Sequence, residues 1–286
     1  FSFINSDLQS EPLTASWFNQ PLNVDFSTKE GAKAYQVAVN LNGNWQPAKT
    51  GVLPEAVNEA LSGSVAWDGK VGIELPYHAG ATYNVELNGD LKNVSSHLPS
   101  PLAKPAGEPL AVNVKVDGNL NSFELTGQAG ADNHFNSRWL LGQKLTLDRA
   151  IWAADSKTLP PLPEQSGVEL NMPPMNGAEW LALFQKGAAE SVGGAASFPQ
   201  HITLRTPMLS LGNQQWNNLS IVSQPTANGT LVEAQGREIN ATLAMRNNAP
   251  WLANIKYLYY NPSVAKTRGD STQSSPFPTT ERISFR

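Results

Sequence analysis

The sequence has no cysteine. Disulfides, thiolate metal sites and cysteine nucleophiles are therefore excluded. Charge is sparse too, at 15% of residues with a net of -4. No basic patch stands out, so nucleic acid is not an expected partner. No run approaches eighteen consecutive apolar residues, and no helix long enough to cross a membrane is expected. The motifs G-x-S-x-G and H-E-x-x-H, a P-loop and a calcium loop are all missing. Of the four histidines, His78, His97, His134 and His201, none stands at metal-ligand spacing from another His or an acid. They read as turn or strand residues, and neither metal nor cofactor is expected. Asp132-Asn-His134 and Asp148-Arg149 are polar clusters near strand ends. Two facing carboxylates could hydrolyse a glycoside, but acids at turns are normally solvated, and the chain is not expected to be an enzyme. It opens at Phe1 without a signal peptide, and Glu281 to Arg286 reads as the beginning of a strand. The expectation is a fragment of a longer protein.

Glycine (22) and proline (21) are plentiful and spread along the chain, which suits many short strands and turns. Leu110 to Gly127 shows the pattern most clearly. Val112, Val114 and Val116 alternate with Asn113, Lys115 and Asp117, and Phe123 and Leu125 flank Glu124. A period of two puts the apolar residues on one face of a strand and the polar ones on the other. Asp117-Gly118 reads as a hairpin turn between two antiparallel strands, since glycine takes positive φ without steric cost. Asn42-Gly43, Asp68-Gly69, Asn88-Gly89 and Asn228-Gly229 read the same way. Tyr35 to Leu41, Ser64 to Trp67, Lys70 to Leu75 and Thr82 to Leu87 read as strands. So do His134 to Leu141, Gln143 to Leu147, Arg149 to Ala153, His201 to Arg205, Met208 to Leu211 and Asn218 to Ser223.

Two helices are expected. Leu53 to Leu61 has apolar residues at helical spacing with a proline near its start. Asn176 to Gly187 opens on a capping-box pattern, Asn176 with Glu179, and closes at Gly187. Leu159 to Pro174 carries five prolines, which argues against a central strand there. Flexible loops are expected near 91–109, 157–175, 187–197 and 263–280. The whole reads as one segment, 1–286, of an extended antiparallel meander.

Two readings of the alternating apolar face compete. It is either the inner face of a β-sandwich, sealed by a second sheet, or the lining of an open groove covered by lipid tails. The tryptophans, among them Trp45, Trp67, Trp139 and Trp152, either fill a core or form sugar-stacking platforms. The rival function is accordingly a carbohydrate-binding or adhesive β-sandwich module.

Asp90-Leu-Lys-Asn-Val-Ser-Ser-His-Leu-Pro-Ser-Pro-Leu-Ala-Lys-Pro-Ala-Gly-Glu-Pro-Leu110 resembles a signature segment of the YhdP family, within the AsmA-like envelope proteins. Leu98, Pro99, Pro101, Leu102, Lys104, Pro105 and Gly107 match, and His97 is a small departure. Gly177 to Leu183, Leu209 to Ser220, Arg237 to Met245 and Tyr257 to Tyr259 resemble later parts of that family, in the same order. The resemblance implies an all-β protein with a few short helices, whose extended antiparallel sheet curls into a U-shaped, taco-like apolar groove. It further implies intermembrane phospholipid transport across the periplasm of a Gram-negative bacterium, with an inner-membrane anchor outside this segment. The partners would be phospholipid acyl chains and the inner and outer membranes. The candidate lining residues are Val37, Val39, Leu41, Val71, Ile73, Val85, Leu87, Val112, Val114, Val116, Phe123, Leu125, Leu145, Leu147, Ile202, Leu204, Ile221, Leu243 and Met245.

Overall fold

The computed structural model describes residues 2–4, 7–51, 53–189, 196–262 and 282–283. The first strands are β1 (Ser2–Ile4), β2 (Asp7–Gln9), β3 (Leu13–Trp17), β4 (Gln20–Glu30) and β5 (Ala34–Trp45). A short helix α1 (Glu55–Asn58) precedes β6 (Leu61–Gly63), β7 (Val65–Pro76), β8 (Thr82–Asp90) and β9 (Val94–Ser96). Then come β10 (Ala111–Asn119), β11 (Ser122–Ala129), β12 (Asn133–Leu141), β13 (Leu145–Ala154), β14 (Gly167–Asn171) and β15 (Met175–Asn176). Helix α2 (Gly177–Ala189) follows, then β16 (Ala196–Ser197), β17 (Ile202–Leu211) and β18 (Gln214–Thr226). The last strands are β19 (Gly229–Gln235), β20 (Ile239–Arg246), β21 (Leu252–Tyr259) and β22 (Arg282–Ile283).

Twenty of these strands form one sheet, and β6 and β9 pair separately. From β4 the ladder runs through β5, β7, β8, β10, β11, β12 and β13, each antiparallel to the last. A second antiparallel run goes from β17 through β18, β19 and β20 to β21. The two runs are joined by β14, which is parallel to both β13 and β17. The sheet is therefore mixed, and the purely antiparallel meander expected from the sequence is corrected at this one junction. The sheet is not closed into a barrel. β14 is also a central strand inside the proline-rich stretch. Its five residues fall between Pro163 and Pro173, so every one of them keeps its N–H for the ladder.

The Asx-Gly pairs required a second correction. Asn42-Gly43, Asp68-Gly69, Asn88-Gly89 and Asp117-Gly118 all lie inside strands β5, β7, β8 and β10. The β10–β11 reversal comes later, at Leu120 and Asn121. These glycines supply room rather than turns. A Cβ at Gly43 would press on the indoles of Trp45 and Trp67, and one at Gly118 would meet Tyr83. Only Asn228-Gly229 stands at a reversal. Three further boundaries merge. Ser64–Trp67 and Lys70–Leu75 form one strand, β7. Gln143–Leu147 and Arg149–Ala153 form β13, with a bulge opposite Arg138 and Trp139. His201–Arg205 and Met208–Leu211 form β17. There Pro207 falls between the Thr206–Leu219 and Met208–Asn217 pairs, beside Asn218 at a φ of 49°.

α2 begins at the cap the sequence shows. Asn176 Oδ1 accepts from the Ala178 N–H at 3.1 Å, and Glu179 accepts from the Asn176 amide at 2.8 Å. Gly187 does not end it, and the helix runs on to Ala189. The expected loop over 263–280 lies outside the described residues.

One long edge of the sheet carries mostly tight reversals, at residues 31–33, 120–121, 142–144 and 227–228. The opposite edge carries the large insertions, which fold together. Ala56, Val94 and Leu98 are buried within them. The Trp180 indole of α2 donates to the Ser100 carbonyl at 3.0 Å, and Lys186 pairs with Glu59 at 3.5 Å. Beneath α2, Ala154, Met172 and Met175 form a small core with Trp152, Leu170, Trp180, Leu204 and Leu209.

Candidate functional site

Cross-strand partners in a ladder share a face of the sheet, so the register can be followed from strand to strand. One row reads Phe26, Val39, Val71, Val85, Val116, Leu125 and Ser137, from β4 to β12. It continues as Ala150, Val168, Ile202, Ser223, Val232, Leu243 and Ala253, reaching β21. The adjoining row reads Val24, Leu41, Gly69, Leu87, Val114, Gly127 and Phe135. It continues as Trp152, Leu170, Leu204, Ile221, Ala234, Ala241 and Ile255. Neither row contains a charged residue. At a strand spacing of about 4.8 Å, each extends roughly 60 Å.

The register places all nineteen candidate positions on this one face. Val39, Val71, Val85, Val116, Leu125, Ile202 and Leu243 are in the first row, and Leu41, Leu87, Val114, Leu204 and Ile221 in the second. Val37, Ile73, Phe123 and Leu147 follow a third row through Tyr83, Gly118 and Trp139. Val112 pairs with Gly89 and Ala129, Leu145 with Leu141, and Met245 with Thr230. Sequence reasoning missed Val24, Phe26, Phe135, Trp152, Val168, Leu170 and Val232, which share the face. The signal for Phe135 was present, because Phe135, Ser137 and Trp139 alternate with polar residues. Val168 and Leu170 were hidden by the prolines on either side of β14.

Among the described residues no second sheet covers this face, and α2 packs on it only at Trp152, Leu170 and Leu204. Among the described residues no large side chain is fully buried, and most of the row residues are half-buried. The sandwich reading fails for want of a partner sheet, since the described strands form one twenty-stranded sheet and the small β6–β9 pair. Two tryptophans, Trp17 and Trp251, are exposed, and Trp17 stacks on Phe18. Trp45 and Trp67 pack edge to face with ring centroids 4.7 Å apart, and Phe123 stacks on Trp139 at 6.0 Å.

The other face is mostly polar in the first half. Asp25, Asn40, Lys70, Glu86 and Lys115 stand in register. Lys115 pairs with Glu86 at 3.3 Å, and the Asn40 amide donates to Asp25 at 2.8 Å. Two open hollows of about 830 and 500 Å³ lie mainly on this side, floored by the small residues Ala38 and Gly72. Further along, the connection between β13 and β14 covers it. Asn136 donates to the Pro160 carbonyl at 3.3 Å, Arg149 to that of Pro163 at 3.2 Å, and the Ser166 hydroxyl to that of Asp148 at 2.8 Å. His134 is buried on this polar side. Among the described residues no three His, Asp or Glu side chains gather as metal ligands. No described helix is long and apolar enough to cross a membrane.

A family model described as YhdP protein matches residues 1–284. The chain belongs to the YhdP family. It is 99% identical over 286 residues to the intermembrane phospholipid transporter YhdP of Escherichia coli (strain K12). The match takes in the whole of this chain and 23% of that relative's length. No solved structure matches the chain.

Proposed function

We propose that this chain is a section of a lipid conduit, and that its apolar face carries phospholipid acyl chains between the inner and outer membranes of a Gram-negative envelope. The observation that carries the reading is the pair of charge-free rows running unbroken from β4 to β21, with no second sheet over them among the described residues. The name of the E. coli relative supports the same cargo. The nineteen candidate positions are then groove-lining residues, and the anchor in the inner membrane belongs to parts of the protein beyond this segment.

The energetics suit the task. Each methylene kept from water is worth about 0.8 kcal/mol, so a two-tailed phospholipid with some thirty of them faces a barrier on the order of 20 kcal/mol in bare water. A continuous apolar face removes much of that barrier with no bond made or broken. Apolar contact is non-directional, so discrimination among tails is weak, and a head group stays in solvent at the open side.

The test is a photo-crosslinking amino acid placed at Val114 or at Lys115 in the full-length protein. Neighbours in sequence, the two face opposite sides of β10. Capture of phospholipid at position 114 and not at 115 is the expected outcome, alongside co-purifying phospholipid in native mass spectrometry. Equal capture at both positions, or at neither, would reject the conduit.

A further inference from the structure

Four aromatic rings run from the rim of the sheet onto the apolar face. In the β3–β4 hairpin Ala15 pairs with Leu22, and Trp17 with Gln20. Leu22 stands two residues before Val24 of the second row, so Trp17 and Ala15 share the apolar side. The Trp17 ring stacks on Phe18 at 4.8 Å, and Trp45 meets the two edge to face at 6.0 and 6.1 Å. Trp45 packs in turn on Trp67, above Gly43. The inner end of this series is half-buried, whereas at its outer end Trp17 is 54% and Phe18 38% exposed. The Trp45 indole N–H is taken by the Pro21 carbonyl at 2.8 Å, but that of Trp17 makes no hydrogen bond among the described residues. The turn that presents them is strained, with Phe18 at a φ of 48° and Asn19 at 58°. Asparagine accepts that conformation, while a bulky residue rarely adopts it. A glycine would close the same turn freely, so the ring at position 18 is kept for what it touches.

We infer that the Trp17–Phe18 tip is a binding site for the junction of a phospholipid, where the tails meet the ester and phosphate groups. The inference rests on the conduit reading and adds to it a place for the polar end of the cargo. Apolar contact is non-directional, so the rows alone fix no position for a tail that lies on them. The polar end of the lipid comes out where the apolar face stops, at the rim. Tryptophan suits that boundary because it joins an apolar body to a single N–H donor, and in bilayers it collects at the level of the head groups for the same reason. Here the Trp17 N–H donates to a phosphate or ester oxygen, and the stacked rings cover the first methylenes. Trp45 and Trp67 carry the apolar surface inward to Gly43, two residues from Leu41 of the second row.

The full-length protein carrying a photo-crosslinking amino acid at position 15 or 114, one at a time, tests this in cells. Ala15 is exposed beside the rings and leaves all four in place, and Val114 lies further in on β10. The expected result is phospholipid captured at both positions. In a Trp17→Ser/Phe18→Gly background, capture at 15 falls several-fold while capture at 114 holds. Glycine takes the φ of position 18 without steric cost, so the melting temperature of Phe18→Gly alone should hold or rise. A fall there would make the ring a structural one and overturn the rim site. Capture at 114 with none at 15, a glycan or protein adduct at 15, or an unchanged yield at 15 in the double variant overturns it as well and leaves the conduit standing. An equal fall at 15 and 114 in the double variant, the sign of a lost fold, also counts against it. No capture at either position in the unsubstituted background removes the conduit and the rim site with it.

Discussion

Val114→Asp separates passage of lipid from stability of the fold. Val114 stands in the second apolar row, between Leu87 on β8 and Gly127 on β11, and is half-buried. With no lipid present, the open side of the sheet leaves the new carboxylate in water. The fold then loses only the packing of a partly covered valine, about 1–2 kcal/mol. When a tail lies across the position, that carboxylate must shed its water, and no cation shares its row. A penalty of several kcal/mol is expected for an uncompensated charge. At about 4 kcal/mol, passage slows on the order of a thousandfold. Lys115→Asp is the control. It breaks the exposed pair with Glu86, which changes stability by under about 1 kcal/mol, and it faces away from the rows. Transfer of labelled phospholipid between donor and acceptor membranes is the assay, with a thermal melt of each variant beside it. A folded Val114→Asp protein that moves lipid at the unsubstituted rate would refute the reasoning.

Three further outcomes concern the sheet. Gly127→Ala sets a Cβ into the ring of Phe135, and forcing the ring aside should cost about 1–3 kcal/mol. A lowered melting temperature, partly restored by adding Phe135→Leu, is expected. Glu238 is buried and accepts from the Asn217 N–H at 2.6 Å, its side-chain amide at 2.8 Å and the Asn261 amide at 3.2 Å. Glu238→Ala strands those donors at a cost of about 1–3 kcal/mol, and hydrogen exchange at Asn217 should quicken. Lys186→Ala, by contrast, should leave the melting temperature nearly unchanged, because its ion pair is solvent-exposed.

The alternation of apolar and polar residues within each strand was legible because a strand has a period of two, but that the nineteen candidates share one face came from the register between strands. Nor could the alternation supply the position of each turn. Asn-Gly and Asp-Gly are read as reversals from local backbone preference, yet at 42–43, 68–69, 88–89 and 117–118 packing decided otherwise. Trp67 and Tyr83 need a small neighbour across the ladder, and that demand comes from another strand. β14 escaped for a related reason. Its five residues look like a gap between prolines, and its pairing with β13 and β17 is parallel and distant in the chain. The kind of each element was local information, whereas the docking of α2 on β17 and α1 joins parts far apart in the chain.

The hydrogen bonds of the ladder point along the same axis as the two rows. A pull along that axis, such as two membranes drifting apart would exert, loads each inter-strand seam in turn. All the seams bear the same force, but they share it among different numbers of bonds. β5 and β7 are stitched over twelve residue pairs, whereas β13 is held over five by β14 and two by β16, and β17 over four by β14 and two by β15. Under tension the seams beside β14, where the two antiparallel halves are sewn together, should part before the one between β5 and β7.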